Sequence, residues 1–303
     1  PSVMYDSPLP HGIPIPFVGP PVPPVDFPLW VASITITAKL KKDHLPTIQL
    51  KNHSVFVPTE YLESIPEPTT ISCTSVDWEL WNEHYDIEVY SWDGGYYFAA
   101  NRDFFKPYID KWMNVKKNSV GGLREIAKLH LNSLYGKFAT NPDVTSRKLV
   151  LIDGRVKLKI RETEFRDPVY TAMGCFITAY ARAVTIRAAQ KNYEIFAYAD
   201  TDSLHLVTDK EPDLNIDAQE LGAWKHEYDA DYGMFWRPKA YIERRVVDQD
   251  SVYEVHIAGL PRAIADEVRF CDIKEGARFV GKKLPKNVAG GVVLEDVEFC
   301  FRG

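Results

Sequence analysis

The sequence lacks the features that mark membrane-spanning, zinc-binding and disulfide-rich proteins. No apolar run reaches the roughly 20 residues that a membrane-spanning helix requires. The 8 histidines show no zinc-ligand spacing. The 4 cysteines are scattered along the chain, which is typical of reduced thiols and predicts a cytoplasmic protein without a membrane partner. These cysteines are Cys73, Cys175, Cys271 and Cys300.

Acidic residues outnumber basic ones, but the basic residues are concentrated in one segment. The 303 residues include 36 Lys and Arg and 42 Asp and Glu, for a net charge of -6. Residues 1–100 hold 4 basic and 12 acidic residues, whereas residues 101–166 hold 15 basic and 7 acidic residues. Because phosphate binding depends on local charge, the central segment predicts a surface for nucleic acid or nucleotides. For 147–166 alone, a solvated charged hairpin is the alternative.

Two aspartates stand between two apolar runs in the stretch 198–203 (YADTDS). The run 195–197 precedes them and the alternating run 204–207 follows, which predicts a β-hairpin with the acids at its tip. Neighbouring carboxylates repel each other unless a cation binds, and their oxygens suit Mg²⁺ or Mn²⁺. Asp200 and Asp202 therefore form a candidate metal site, although an isolated Asp-x-Asp is more often a solvated turn than a metal site.

A second candidate site lies on a predicted amphipathic helix over residues 121–136. Its apolar residues recur at three- and four-residue steps; they are Leu123, Ile126, Ala127, Leu131 and Leu134. The spacing aligns another set along the opposite side, namely Arg124, Lys128, Asn132 and Tyr135. Two cations, an amide and an aromatic ring in one row suit a nucleoside triphosphate. A solvated basic face that ends at Gly136 is the alternative.

Taken together, the two motifs resemble motifs B and C of family B DNA polymerases. The first reads Lys128-x-x-x-Asn-Ser-x-Tyr-Gly, and Tyr-x-Asp-Thr-Asp-Ser follows about sixty residues later. Other segments are similar to the protein-primed subfamily of small tailed phages and linear plasmids. These segments are 45–49 (LPTIQ), 60–62 (EYL), 127–144, 167–179, 239–241 (KAY) and 290–294 (GGVVL). The chain is identified as a member of this family by a resemblance that covers nearly all of it.

The resemblance implies an α+β, right-hand polymerase fold with palm, fingers and thumb and two terminal-protein-region insertions. The implied division is 1–44 for a palm connector and strand, 45–102 for the first insertion, 103–144 for the fingers with motif B, 145–169 for the second insertion, 170–261 for the palm with motif C and Lys-x-Tyr, and 262–303 for the thumb.

Local patterns predict most of the elements in this arrangement. The proline-rich run 1–28 is expected to be extended rather than helical. Residues 30–40 alternate as a strand, 103–115 and 121–136 form a helix pair, and 170–192 form a long helix. Asp153-Gly154 between alternating runs predicts a hairpin over 145–168. Gly94-Gly95 is interpreted as a turn, and the aromatics of 45–100 as core rather than as stacking platforms for nucleic acid.

The resemblance also assigns roles to residues of this sequence. Asp200 and Asp202 are the implied catalytic residues and ligands of two Mg²⁺ or Mn²⁺ ions, with Asp200 in a supporting position. The implied nucleotide-binding residues are Lys116, Arg124, Lys128, Asn132 and Tyr135, of which Arg124 departs from the lysine expected there. The implied primer- or DNA-binding residues are Tyr198, Thr201, Ser203, Lys239 and Tyr241. An exposed lysine on an ordinary strand is the alternative interpretation of Lys239.

The same resemblance exposes a gap at the start of the sequence. Motif A of the family reads Asp-x-x-Ser-Leu-Tyr-Pro, and Pro1 matches its proline. We therefore expect the motif A aspartate and the exonuclease domain to lie outside the chain, as in a fragment, a processed product or one half of a split polymerase.

The predicted function is DNA-directed, protein-primed DNA synthesis by a two-metal mechanism in the host cell cytoplasm. The expected partners are template-primer DNA, deoxynucleoside triphosphates and a terminal protein that primes synthesis, and the polymerase is expected to be monomeric. Because one metal carboxylate is missing, the isolated chain is expected to be impaired. A non-catalytic module that binds DNA or the terminal protein is the alternative from another functional class.

Overall fold

The computed structural model describes residues 2–50, 61–140, 143–165, 167, 169–218, 220–289 and 291–301. The helices are α1 (Ser2–Asp6), α2 (Ser75–His84), α3 (Lys106–Asn118), α4 (Gly121–Phe138), α5 (Thr171–Lys191) and α6 (Arg262–Ala265). The strands are β1 (Leu9–Phe17), β2 (Leu29–Leu40), β3 (Ser64–Thr74), β4 (Tyr85–Asn101), β5 (Asp143–Ile152), β6 (Arg155–Phe165), β7 (Phe196–Asp200), β8 (Ser203–Leu206), β9 (Tyr232–Arg237), β10 (Ala240–Val247), β11 (Asp250–Ile257), β12 (Arg278–Val288) and β13 (Gly291–Cys300).

The chain divides into two compact units that alternate along the sequence. The first unit comprises Pro1–Pro142 and Asp167–Trp224, and the second comprises Asp143–Arg166 and Lys225–Gly303. The boundary between Trp224 and Lys225 falls inside the predicted palm segment 170–261, so Lys239 and Tyr241 belong to a different unit from Asp200 and Asp202. In the part of the chain that the structure describes, no helix combines the length and the apolarity that crossing a membrane would require.

The first unit is built on a four-stranded antiparallel sheet in the order β1-β4-β2-β3. Residues of β2 alternate between buried and partly buried positions, as the predicted strand over 30–40 requires. One face of the sheet carries an apolar cluster that contains most of the aromatics of 45–100, including Trp81, Tyr85 and Tyr97. These rings are therefore core, as predicted, whereas Tyr90 and Tyr96 are exposed.

Gly94 and Gly95 lie inside β4, so the prediction of a turn at this position is wrong. β4 runs between β1 and β2, where Gly95 faces Phe17 on one side and Ala32 on the other. A Cβ atom on Gly95 would overlap the Val31 carbonyl oxygen. Glycine is required here because two backbones approach each other closely, and not because the chain reverses direction.

The proline-rich segment is extended only in part. β1 is an edge strand, where Pro14 and Pro16 can be accommodated because a sheet edge does not need every N–H group. The prediction that 1–28 contains no helix is wrong, since α1 occupies Ser2–Asp6. Residues 2–7 contain no proline, so nothing in this short stretch removes a helical hydrogen bond.

Helix α2 begins with a capping box and is docked on the long helix α5. Thr74 accepts a hydrogen bond from the Asp77 backbone N–H, and the Asp77 carboxylate accepts one from the Thr74 backbone N–H. Arg182 of α5 donates to the same carboxylate at 2.6 Å. Arg187 donates two bonds to Glu83, at 3.0 and 2.6 Å, and holds the pKa of Glu83 below its usual value. Two paired arginines thus join α5 to α2.

Helices α3 and α4 form the predicted antiparallel pair. The Trp112 and His130 rings stack at 3.9 Å between centroids, and the Phe105 ring at the start of α3 meets Phe138 at the end of α4. The predicted apolar face of α4 is only partly correct. Ala127 and Leu131 are buried, and Leu134 packs against the same core. Leu123 and Ile126 are 54% and 50% exposed, so the first turns of α4 do not bury the predicted face.

The second unit consists of three antiparallel assemblies. β5 and β6 form the predicted hairpin, with Asp153 and Gly154 at φ values of 53° and 70°, the conformation of a type I′ turn. β9, β10 and β11 form a three-stranded sheet with β10 in the centre. β12 pairs with β13, and Ala289 bridges to Arg155 of the first hairpin. A separate core around Ile242 and Phe301 joins the three-stranded sheet to the β12–β13 hairpin.

Candidate active site

The two aspartates occupy the tip of the β7–β8 hairpin, as predicted. Asp200 pairs with Ser203, which leaves Thr201 and Asp202 as a two-residue loop. Thr201 has a φ of 56°, in the left-handed region that a β-branched residue rarely enters. The Asp202 N–H donates to the Asp200 carbonyl at 2.6 Å, which closes a three-residue γ-turn. With a positive φ at its central residue, this is the rare and strained form of that turn. The tip therefore holds its carboxylates on an unusual backbone.

Side chains next to this turn hold it in place. The Thr201 hydroxyl donates to the Asp200 carboxylate at 3.0 Å, and the Ser203 hydroxyl donates to the Asp200 carbonyl at 3.1 Å. From α5, the Thr185 hydroxyl donates to the Thr201 carbonyl at 2.9 Å. Asp200 is partly buried in this network, whereas Asp202 is exposed. The predicted contact of Thr201 and Ser203 with DNA remains a prediction.

The donor atoms at the tip are of the type that Mg²⁺ or Mn²⁺ prefers. Asp200 and Asp202 offer carboxylate oxygens two residues apart on one turn, with hydroxyl groups around them. Within the described ranges, no group of three or more His, Cys, Asp or Glu side chains is placed to hold a metal ion. The residues fit divalent cations by ligand chemistry, and the tip supplies two of the carboxylates that a two-ion site needs.

Tyr61 lies within the electrostatic reach of both Arg182 and Asp200. Burial raises the pKa of Tyr61, the Arg182 guanidinium lowers it, and the Asp200 carboxylate raises it. Tyr61 belongs to the segment 60–62 that the family resemblance singled out, and this tyrosine lies close enough to Asp200 to feel its charge. The Tyr198 ring, on β7, lies 5.5 Å from the His205 ring across the hairpin.

Helix α4 presents the predicted polar row to solvent. Arg124, Lys128, Asn132 and Tyr135 are all exposed on this helix, whereas Lys116 is partly buried on α3. Helix α5 contacts α4 as well as both strands of the aspartate hairpin. Where the two helices meet, Gly174 of α5 lies against the backbone at the end of α4. A Cβ atom added at Gly174 would stand 3.1 Å from the Phe138 carbonyl oxygen. One helix thus supports both sequence motifs.

Lys239 and Tyr241 lie on the second unit, in environments that differ from each other. Lys239 is exposed in the turn between β9 and β10, with a φ of 59°. Tyr241 is only 8% exposed, and its ring is stacked between Phe235 at 5.5 Å and His256 at 4.7 Å. Because both faces of the ring are covered, stacking of Tyr241 on a primer base would require these neighbours to move.

Thr185 and Tyr61 are site neighbours to which the sequence patterns assigned no role. Thr185 follows the periodicity of an ordinary helix, and nothing local distinguishes a threonine that bonds to a distant turn from one that bonds within its own helix. Only the packing of α5 against β7 and β8 brings its hydroxyl to the turn.

Comparisons with known proteins identify the family and the fold of the chain. Residues 1–221 match the family model of DNA polymerase type B, organellar and viral. The chain is 39% identical to the DNA polymerase of Bacillus phage Nf and 40% identical to that of Bacillus phage phi29, in each case over 100% of this chain and 56% of the relative. It thus spans little more than half the length of these relatives.

A solved structure of the phi29 DNA polymerase with primer-template DNA and incoming nucleotides resembles this structure closely. The TM-score is 0.93 at 40% sequence identity, over 99% of this chain and 55% of that chain. The two proteins share a mixed α/β fold throughout the compared region. With its match to the family model and its whole-chain identity to the phage enzymes, this chain belongs to the type B DNA polymerases of organelles and viruses.

Proposed function

We propose that this chain is the polymerase portion of a protein-primed DNA polymerase that carries out template-directed nucleotidyl transfer. The observation that carries the proposal is that α5 packs against both motifs. It contacts α4, which bears Lys128, and the β7–β8 hairpin, which bears Asp202, and all three belong to one compact unit. In the proposed reaction a primer 3′-hydroxyl attacks the α-phosphorus of a deoxynucleoside triphosphate, and pyrophosphate leaves.

Asp202 is the proposed principal metal ligand, and Asp200 is the supporting one. Two divalent ions, when bound, lower the pKa of the attacking hydroxyl and neutralise charge on the leaving oxygens. The residues of the turn keep the two carboxylates at the hairpin tip, where the Thr201 hydroxyl already occupies one side of Asp200. The exposure of Asp202 leaves its oxygens accessible to a ligand.

The exposed row of α4 is the proposed nucleotide-binding surface. Lys128 and Arg124 would meet the triphosphate, with Lys116 contributing from α3, while Asn132 and Tyr135 would contact the base pair or the sugar. Tyr198 and Ser203 would lie beside the primer end. In the second unit, exposed Lys239 would hold primer phosphates, and Tyr241 would contribute the hydroxyl at the edge of its ring.

We assign the elements to the subdomains of a right-hand polymerase on the same basis. Helices α3 and α4 are the proposed fingers, and α5 with β7 and β8 belongs to the palm. Strand β2 belongs to the palm connector, β3 and β4 with α2 form the first insertion, and β5–β6 is the second. The hairpin β12–β13 is the thumb. Template-primer DNA, nucleotides and a terminal protein are the proposed partners, and the enzyme would act as a monomer.

A non-catalytic role in binding DNA or a terminal protein is the second candidate. It is favoured by one observation: the described residues supply two carboxylates at the hairpin tip and no third. This candidate and the proposed polymerase differ in one measurable respect, since a binding module would gain nothing from a further metal ligand.

Primer extension tests the proposal by comparing this chain with a version that carries an N-terminal Asp-x-x-Ser-Leu-Tyr segment, called the extended chain below. We expect the extended chain to synthesise DNA at least about 100-fold faster in Mg²⁺, because charge stabilisation by a complete metal site contributes several kcal/mol. The same segment with its aspartate replaced by asparagine is the control. Equal rates of extension by all three proteins would contradict the proposal.

Replacing Lys128 by alanine in the extended chain is expected to raise the KM for deoxynucleoside triphosphates by about 10- to 100-fold. A charge-assisted hydrogen bond contributes about 1.5–3 kcal/mol, which the variant loses. Lys137 provides a matched control, since it is exposed on the same helix about two and a half turns away and faces the opposite side. An equal rise in KM for Lys137→Ala would show that overall charge, and not this row, binds the nucleotide.

A further inference from the structure

The middle of helix α5 contains a threonine whose hydroxyl has two acceptors within reach. The Thr185 hydroxyl lies 2.9 Å from the Thr201 carbonyl oxygen and 3.2 Å from the Ala181 carbonyl oxygen of its own helix. A hydroxyl has one hydrogen to donate, and the bond to the turn is the shorter one. Thr178, by contrast, finds its acceptors, Gly174 and Cys175, inside the helix. Thr185 therefore differs from an ordinary helical threonine.

The peptide group between Thr201 and Asp202 is held at both of its ends. Its carbonyl accepts the bond from Thr185, and its N–H donates to the Asp200 carbonyl at 2.6 Å. The carbonyl and N–H of a trans peptide point in opposite directions within one rigid plane. Hydrogen bonds at the two opposite edges of this plane therefore resist its rotation about the chain direction.

Without the bond from Thr185, the strained turn could relax to a different backbone conformation. Thr201 is β-branched and has a φ of 56°, a conformation that such a residue adopts only when its surroundings enforce it. Rotation about the N–Cα bond of Thr201 would relieve this strain, and it would move the Thr201 carbonyl, the 201–202 peptide and the Cα–Cβ bond of Asp202 together. The direction of the Asp202 carboxylate thus depends on the orientation of the peptide that Thr185 holds.

We propose that Thr185 is a positioning residue of the polymerase site, whose hydroxyl fixes the 201–202 peptide and thereby aims the Asp202 carboxylate at its divalent ion. The proposal rests on the proposed function, in which Asp202 binds metal. Helix α5 then acts as more than a packing partner of the hairpin. It supplies the bond that keeps a strained turn in the form in which its carboxylate serves as a ligand.

The test uses the 303-residue chain, with NMR signals of backbone amides as the readout and Mn²⁺ as the probe. The variants are Thr185→Val, which keeps the shape of the side chain but removes the hydroxyl, and Thr185→Ser, which keeps the hydroxyl. Thr178→Val is the matched control, because it removes a hydroxyl from the same helix that bonds only within that helix. Hydrogen exchange at the Asp202 amide reports on the peptide, and Mn²⁺ broadening of the Ser203 signal reports on the metal ligand.

We expect Thr185→Val to speed exchange at Asp202 and to raise the Mn²⁺ concentration needed for half-maximal broadening, each by roughly tenfold. Thr185→Ser should restore both values, and Thr178→Val should change neither. Unchanged exchange at Asp202 in Thr185→Val would overturn the proposal. So would faster exchange with unchanged Mn²⁺ broadening, because the peptide would then move without consequence for the carboxylate.

The variant Asp202→Asn separates this proposal from the proposed function. Loss of Mn²⁺ broadening in Asp202→Asn supports Asp202 as a metal ligand. Full retention of broadening would refute that role, and with it the metal-binding part of the proposed function. The exchange rate at residue 202 in Thr185→Val is measured without metal, so it decides independently whether Thr185 holds the peptide.

Discussion

Replacing Asp202 by asparagine in the extended chain is expected to reduce Mg²⁺-dependent primer extension by about a thousandfold. Asparagine keeps the size of the side chain but removes the negative charge that a divalent ion requires. The loss of several kcal/mol of charge stabilisation corresponds to this factor, since each step of about 1.36 kcal/mol changes a rate tenfold. Single-turnover extension of a primed template measures the effect on chemistry without the contribution of product release.

Two further measurements separate loss of catalysis from loss of structure or of DNA binding. The affinity for primer-template, measured by fluorescence anisotropy without metal, should be unchanged or slightly higher, because the variant carries one negative charge less. Asp209→Asn is the control, since Asp209 is exposed beyond the end of β8. Extension by Asp202→Asn at the rate of the Asp209→Asn control would refute Asp202 as a catalytic residue.

Replacing Gly95 by alanine is expected to destabilise the first unit by about 3 kcal/mol or more. The added methyl group would overlap the Val31 carbonyl oxygen and approach the Ala32 Cα atom to 2.8 Å. These are backbone atoms of a paired strand, so they can move only if the pairing of β2 and β4 is disturbed. For a unit of this size the midpoint of thermal unfolding should fall by roughly 6–12 °C.

Gly122→Ala is the matched substitution for this measurement. Gly122 lies in the first turn of α4, its φ is not positive, and a Cβ atom there would have no neighbour within 4 Å. Alanine at this position should leave stability unchanged or increase it by up to about 1 kcal/mol. If Gly95→Ala and Gly122→Ala unfold at the same temperature, the close approach of the two strands is less tight than the structure indicates.

The elements that sequence patterns predicted correctly are those whose cause is local. The helix over Thr171–Lys191 and the hairpin around Asp153-Gly154 follow from periodicity and from turn chemistry, which act within a few residues. The aspartate hairpin was predicted for the same reason, since apolar runs flank its tip. Its resemblance to a polymerase motif then supplied a function that the local pattern left open.

The features that could not be predicted depend on neighbours distant in sequence. Gly95 resembles a turn residue until two strands are placed on either side of it. Leu123 and Ile126 match the helical periodicity of apolar residues, although about half of each residue is exposed to solvent. Tyr241 was assigned to the primer by resemblance, whereas its burial between two rings became visible only with the sheet. Thr185 belongs to the same class, because its acceptor is 16 residues away.

The alternation of the two units along the sequence has a consequence for synthesis of the chain. The Asp77–Arg182 and Glu83–Arg187 pairs join residues 105 and 104 positions apart, so α2 cannot dock until α5 has been made. The β5–β6 hairpin is translated in between, and its partner strand β12 follows more than 100 residues later. Neither unit can complete its fold as it leaves the ribosome, and most of the chain must emerge before either becomes stable.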